Sequence, residues 1–234
     1  DVNGPGSFDY GARSSYGGFP RTIVFDVSGY LDLYDAVDRK ALIRGKNITI
    51  AGQTAPGCGI TFRGGTVDFE HGSNWIMRYF RARPGDIGNS VGDSPDALGG
   101  TDMDGLILDH ISLSWSIDGM MDTRRTGEHT TQWCIFAQPL NCSTHEKGCH
   151  GYLMSWRGIS GNMSAHHNVW SSGTTRHPTF GDRDSILNLA YKPHPVTPFA
   201  PDVPAAAGTG GIYPQYSGVV DQVNNVTYNW KSSA

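Results

Sequence analysis

Seven extended, apolar-rich segments recur along this 234-residue chain, and their spacing constrains the fold more than any single residue does. They are TIVFDVSGYL (22–31), NITIAG (47–52), NWIMRYFRARPG (74–85), GLILDHISLSWSID (105–118), TTQWCIFAQ (130–138), NMSAHHNVW (162–170) and NNVTYNW (224–230). Starts at Asn47, Asn74, Gly105, Thr130 and Asn162 are 27, 31, 25 and 32 residues apart. A loose period in the ~20–50-residue range marks a repeat architecture, here a coil of stacked rungs that bury their inward residues against one another. Loops of different length hanging off each turn account for the looseness. No window carries a convincing 3.6-residue apolar stripe; YLDLYDAVDRKALIR (30–44) comes closest and is expected to hold one short helix. The stretches 83–105 and 191–214 break the rhythm as long loops, but strand-like segments resume after each, so a single domain over 1–234 is expected.

Composition agrees with many short strands joined by many turns: 31 glycines and 13 prolines stand among abundant Asn, Ser and Thr. The net charge of −4 argues against a general nucleic-acid binder, so an anionic partner must be met locally, by particular Arg or Lys side chains or by a metal. No run approaches the ~20 apolar residues of a membrane span, and the first residues, DVNGPGSFDY, lack the basic-then-apolar pattern of a signal peptide. Cys142 and Cys149 bracket the short loop CSTHEKGC, which a disulfide could close, and no CxxC pair argues for zinc. Sequons at Asn47, Asn141, Asn162 and Asn225, taken with that loop, favour a secreted glycoprotein.

Three groups of residues carry potential chemistry. Asp118 and Asp122 would lie ~13 Å apart on a straight strand, so they can grip one ion only if the chain bends, which Gly119 permits. Asp96, Asp102 or Asp104 could add a carboxylate from a neighbouring rung, and the spacing is wrong for an EF-hand. His145, Lys147 and His150 share the cysteine-bracketed loop, while His166 and His167 lie in HHN; the four histidines match no common zinc spacing. Arg176, between a Thr pair and His-Pro, is by default a surface residue. Beside a metal-capable acidic cluster, an acidic sugar would give it a role.

In order, RTIVFDVSG, ITIAGQTAPG, RYFRARPGD, DALGG, LDHISLSWSID, QWCIFAQPL, HEKGCHGY and HHNVW…TRHPTFGD resemble the motifs of the pectate lyase family. The match runs through most of residues 5–184 and resumes at NNVTYNW. That resemblance implies an all-β, right-handed parallel β-helix and Ca2+-assisted β-elimination of (1→4)-linked galacturonan. By resemblance, Asp96, Asp118 and Asp122 are the metal ligands, and Arg176 is the base that removes the C5 proton. Lys147 resembles the lysine that contacts the substrate carboxylate, and so joins Arg176 in the catalytic set. The chain departs from relatives at Thr179, where they place a basic residue, making Arg183 the candidate for that substrate contact. It also departs at Gly119, where closer relatives commonly carry Glu. Its abrupt start and stop read as a fragment or processed product. The expected partner is an acidic polysaccharide, polygalacturonate, met by a monomer. The alternatives are a lyase of the same fold for another uronan, a β-helix hydrolase, and a non-catalytic carbohydrate-binding β-helix presenting Trp156 and Trp170 as a sugar platform.

Overall fold

The computed structural model describes residues 5–12, 19–90, 92, 94–157, 162–180 and 220–228. A short helix, α1 (Phe8–Ala12), precedes the strands. The first rung holds β1 (Arg21–Val24) and β2 (Gly29–Asp32). The second holds β3 (Lys40–Ala51) and β4 (Ile60–Arg63), and the third β5 (Thr66–Arg78) and β6 (Phe80–Arg83). Next come β7 (Leu98–Asp109) and β8 (Ser112–Leu113). The fifth rung is split into β9 (Met121–Thr126), β10 (His129–Gln132) and β11 (Ile135–Ala137). The sixth repeats that split as β12 (Met154–Arg157), β13 (Met163–His166) and β14 (Val169–Ser171). The last described rung has β15 (Thr179–Phe180), β16 (Val220–Val223) and β17 (Val226–Tyr228).

Every strand pair among the described residues is parallel, with one register shift between Arg44 and Gly45 where β3 meets β5, which makes the molecule a parallel β-helix with three faces. The long strands β3, β5 and β7 turn a corner. Their first halves join β9, β12 and β15 as one face, and their second halves join β1, β10, β13 and β16 as another. The third face runs β17-β14-β11-β8-β6-β4-β2. One ladder threads the second face as Ile48, Trp75, Leu106, His129 and Met163. All five point inward and are 2% exposed or less. Alternation then places Ile50, Met77, Leu108, Thr131 and Ala165 inside as well, because a strand returns to the same face every second residue.

The repeat needs one correction. The position equivalent to Asn47, Asn74, Gly105 and Asn162 is Glu128, not Thr130. Asn47, Asn74 and Gly105 share the left-handed backbone that turns the corner (φ 56, 58 and 72°), a region Asn and Gly enter most readily. Side chains pair along this corner on either side of Gly105: Asn74 Nδ2 donates to Asn47 Oδ1 at 2.6 Å, and Asn162 Nδ2 donates to Glu128 Oε1 at 3.3 Å. The next corner, between the second and third faces, stacks Tyr79, His110, Trp133 and His167 in the same left-handed conformation. Behind it Asn168, fully buried, accepts the Cys134 N–H and donates to Thr131 O, both at 2.9 Å. Asn225 extends that ladder, its Nδ2 donating to Ala165 O, so this sequon's amide is committed to the interior.

Other expectations are also corrected. The stretch 30–44 holds strand and a single 3-10 turn, Val37–Arg39, and the α-helix among the described residues is Phe8–Ala12 instead. Too short to show a periodic stripe, that helix sets the Phe8 ring 4.9 Å from Phe62 and covers the core at the first rung. The loop expected over 83–105 ends early, because Leu98–Asp109 pairs with β5 as a strand. Trp156 and Trp170 are core residues, 0% and 1% exposed, so they form no sugar platform. No helix among the described residues is long and apolar enough to cross a membrane.

His129 gives the fold a pH signature. It is buried against Trp156, with Nε2 2.9 Å from Thr131 Oγ1, and burial pushes its pKa down to about 3. The unfolded chain takes up this proton near pH 6.5 and the folded chain does not. Stability is therefore held above pH 6.5 and lost as pH falls towards 3, by up to about 1.4 kcal/mol per pH unit. Urea unfolding of wild type and His129→Gln across pH 7 to 4 should show that slope shrinking in the variant; parallel profiles would contradict it.

Candidate functional site

The turns leading from the third face back to the first carry the chemistry. Residues 84–97 lead into β7, 114–120 into β9, 138–153 into β12 and 172–178 into β15. Because these four strands belong to successive stacked rungs, side chains from all four turns arrive next to one another.

Asp118 lies in the turn before β9, and Asp122 is that strand's second residue. The chain bends between them, as their joint use requires, and one guanidinium reaches both. Arg176 Nη1 is 2.7 Å from Asp122 Oδ2 and 3.9 Å from Asp118 Oδ1. Arg157, on β12, also pairs with Asp122 Oδ2. Asp96 enters from the 84–97 turn, its Oδ1 accepting the Gly119 N–H at 2.8 Å. Gly119 is not in the left-handed region, so its contribution is space rather than backbone freedom. A Cβ there would lie 2.9 Å from Asp122 Oδ1 and 3.2 Å from Asp96 Oδ1, so the missing side chain is the room in which the two carboxyls converge.

Crowding sets the electrostatics. Burial, then the charges of Asp122 and Asp118, push the Asp96 pKa well above the usual carboxylate range, while the Gly119 N–H pulls the other way. Burial also raises Asp122, against the opposing pull of Arg176 and Arg157. Two oxygens remain unsatisfied: Asp118 Oδ1 and Asp122 Oδ1 are buried and make no hydrogen bond among the described residues. His150 Nε2 stands 3.0 Å from the former without hydrogen-bond alignment.

The turn 138–153 is closed by a Cys142–Cys149 disulfide, as its spacing allows. It presents His145 and His150, both at least nine-tenths buried, against Asp118. The three bring ligand-type atoms within 4.8 Å of one another, the size of a transition-metal site. Ring geometry argues against that use. The imidazoles stack 3.9 Å apart at 20°, so their in-plane lone pairs run side by side, and a metal ~2.0–2.1 Å from both nitrogens would lie out of each ring plane. His145 Nδ1 accepts the Lys147 N–H at 3.0 Å, which leaves the ring proton on Nε2, facing Asp118. The pair packs and orients Asp118. Burial lowers the His150 pKa, favouring the neutral ring.

The remaining expected residues divide. Lys147 is exposed on the disulfide loop, and its amine makes no ion pair among the described residues. Arg183 lies outside the described residues. Asp102 is at a different corner, paired with Arg125 and His71, and Asp104 lies against Gly127, so neither joins the cluster. His166 and His167 belong to the corner between the second and third faces, remote in the rung from His145 and His150. Not foreseen were Arg157, Tyr152 and Arg124. Arg124 and Arg157 are register partners on β9 and β12, a relation invisible until the rungs are aligned. Both line a groove of about 900 Å³ that runs from Arg39 and Lys40 across Gly99 and Gly100 to the three aspartates.

No family model matches the chain. It is 33% identical over 181 residues to a protein named probable pectate lyase C from Aspergillus terreus, covering 76% of this chain and 39% of that one. Proteins of the same name from Emericella nidulans and Aspergillus oryzae are each 35% identical over 173 residues, covering 73% of this chain and 37% and 38% of theirs. The chain thus spans just under two fifths of the length of the curated relatives it matches. With this identity held over three quarters of its residues, and a parallel β-helix beneath it, the chain belongs to the pectate lyase family.

Proposed function

We propose that this chain carries the catalytic centre of a secreted, calcium-dependent pectate lyase, which cleaves (1→4)-linked galacturonan by β-elimination. The observation that carries the reading is the pair of buried oxygens, Asp118 Oδ1 and Asp122 Oδ1, unsatisfied among the described residues and clustered with Asp96 and Arg176 beside a groove whose mixed acidic and basic lining includes Arg39, Arg124, Arg125 and Arg157.

The donors fit calcium. All are carboxylate oxygens, the hard ligands that ion takes, and their mutual repulsion calls for a compact positive charge. Asp96, Asp118 and Asp122 would hold it. When bound, calcium supplies positive charge next to the uronate carboxylate, which acidifies the C5 proton.

The chain's own residues supply the rest. Arg124 and Arg157 lie where a polyanion in the groove would pass, and Lys147 is free to reach a sugar carboxylate from the disulfide loop. Arg176 takes the C5 proton at a guanidinium nitrogen. The C5–H electron pair becomes the C4–C5 double bond, and the C4–O bond breaks with its own electron pair staying on the glycosidic oxygen, which takes up a proton as the 4-linked sugar leaves as an alcohol. An arginine is a reluctant base, since its guanidinium stays protonated in nearly every setting. Two carboxylates face Arg176, and a divalent cation held by them would take up their charge beside the guanidinium. Holding the base at the proton supplies further advantage.

Two outcomes follow. Polygalacturonate incubated with the chain and calcium should gain the ultraviolet absorbance of a conjugated double bond; chelation should abolish it, and Arg176→Ala should lower the rate by about 10²–10⁴-fold. Reducing ends without that absorbance would overturn the elimination, and a rise only on another uronan would move the substrate. Second, Asp96→Asn should raise the melting temperature of the chelated protein at pH 7. With its pKa raised in the folded state, the Asp96 carboxyl supports the fold at low pH and loses that contribution as pH rises through the raised value. The stabilisation by Asn should therefore vanish towards pH 4; a destabilised variant at pH 7 would refute the crowding.

A further inference from the structure

The Arg176 guanidinium has three partners among the described residues, and a bound divalent cation competes for two of them. Asp122 at 2.7 Å and Asp118 at 3.9 Å are the carboxylates assigned above to the ion. The third partner is the ring of Tyr152, whose centroid lies 4.7 Å from the guanidinium carbon. This is cation–π range, and a neutral ring face does not ligate calcium.

Register brings the two together. Tyr152 bridges Thr175 across adjacent rungs, and the flanking amides of Leu153 and Met154 donate to Thr175 O and Arg176 O at 3.2 and 2.9 Å. Arg176 itself sits at φ 59°, a left-handed conformation uncommon for a residue with a side chain. The backbone on both sides of the contact is thus held. So is the ring: His150 packs against it with centroids 3.6 Å apart, and His145 packs on His150. The column His145–His150–Tyr152–Arg176 starts in the disulfide-closed turn and ends at the guanidinium.

We propose that Tyr152 is a positioning residue for Arg176, the surface that keeps the guanidinium in place when Asp118 and Asp122 turn to a cation. The proposal rests on the function argued above for what Arg176 does, but not for where it is held. Tyr152 acts through Arg176 and touches no substrate. Its aromatic face is the working part, so Phe should serve and an aliphatic side chain of similar bulk should not.

The test reads position first and activity second. In the full chain, the Arg176 Nε–Hε resonance, assigned by its disappearance in Arg176→Lys, should be displaced by the Tyr152 ring current. The displacement should persist at saturating calcium and in Tyr152→Phe, and vanish in Tyr152→Leu. A resonance at the ordinary arginine position, or one that returns there when calcium is added, would overturn the proposal whether or not the chain cleaves polygalacturonate. On polygalacturonate, Tyr152→Leu should lower kcat about 5- to 30-fold with KM nearly unchanged. Tyr152→Phe should restore kcat to within about twofold, the residual allowance for one lost hydroxyl. Equal rates in wild type and Leu variant, or equal losses in Phe and Leu, would also overturn it. Absence of product from wild type, with the ring-current displacement intact, would sink the function and leave the positioning standing.

Discussion

In-register stacking of rungs is the constraint on which everything else in this molecule depends. Parallel strands lie ~4.8 Å apart, so any residue has its partner one rung away at that distance, however much chain intervenes. The consequence for the core is a continuous column of inward side chains such as Ile48, Trp75 and Leu106. The consequence for the corners is ladders of like groups, asparagine on asparagine and ring on ring. The consequence for the site is that turns of very different length deliver Asp96, Asp118, His150 and Arg176 to one place, beside Asp122 on β9. A turn can be lengthened or recomposed without disturbing the core, which is why the chemistry sits there.

The acidic cluster is electrostatically unbalanced. Two carboxyls, those of Asp96 and Asp122, crowd around the space left by Gly119, two buried oxygens have no hydrogen-bond donor among the described residues, and Arg157 and Arg176 converge on a single oxygen of Asp122. Arg176 serves here as an internal counter-ion. Buried ion pairs of this kind seldom add net stability, because the desolvation cost rivals the attraction. On the function proposed above, this arrangement is a state to be displaced, in which an arriving cation takes over the carboxylates while Tyr152 keeps the arginine in place.

How much was legible follows from the same geometry. Inward positions must be apolar at every second residue, so Ile48/Ile50 and Trp75/Met77 advertise strand and face. The solenoid was readable from their recurrence, with a slip of two residues at Glu128, where no Asn or Gly marks the corner. The acidic trio and Arg176 were named from resemblance, and the structure brings them together. Turn residues obey no period, so contacts between turns stayed hidden. Tyr152 under Arg176 and Arg157 on Asp122 become visible only through register. Asp102 looked as suitable as Asp96 by spacing, yet it lies at the opposite end of the first face. The HHN motif puts three adjacent residues to three uses: His166 against its neighbour, His167 in the ring stack, and Asn168 in the buried ladder.

The most direct measurement is calorimetric titration of the chelator-stripped chain with Ca2+, repeated on Asp122→Asn and on the double variant His145→Gln/His150→Gln. One calcium should bind per chain, with binding abolished by Asp122→Asn and largely retained in the histidine variant. No binding by wild type, or binding that survives Asp122→Asn and is lost with the histidines, would contradict it.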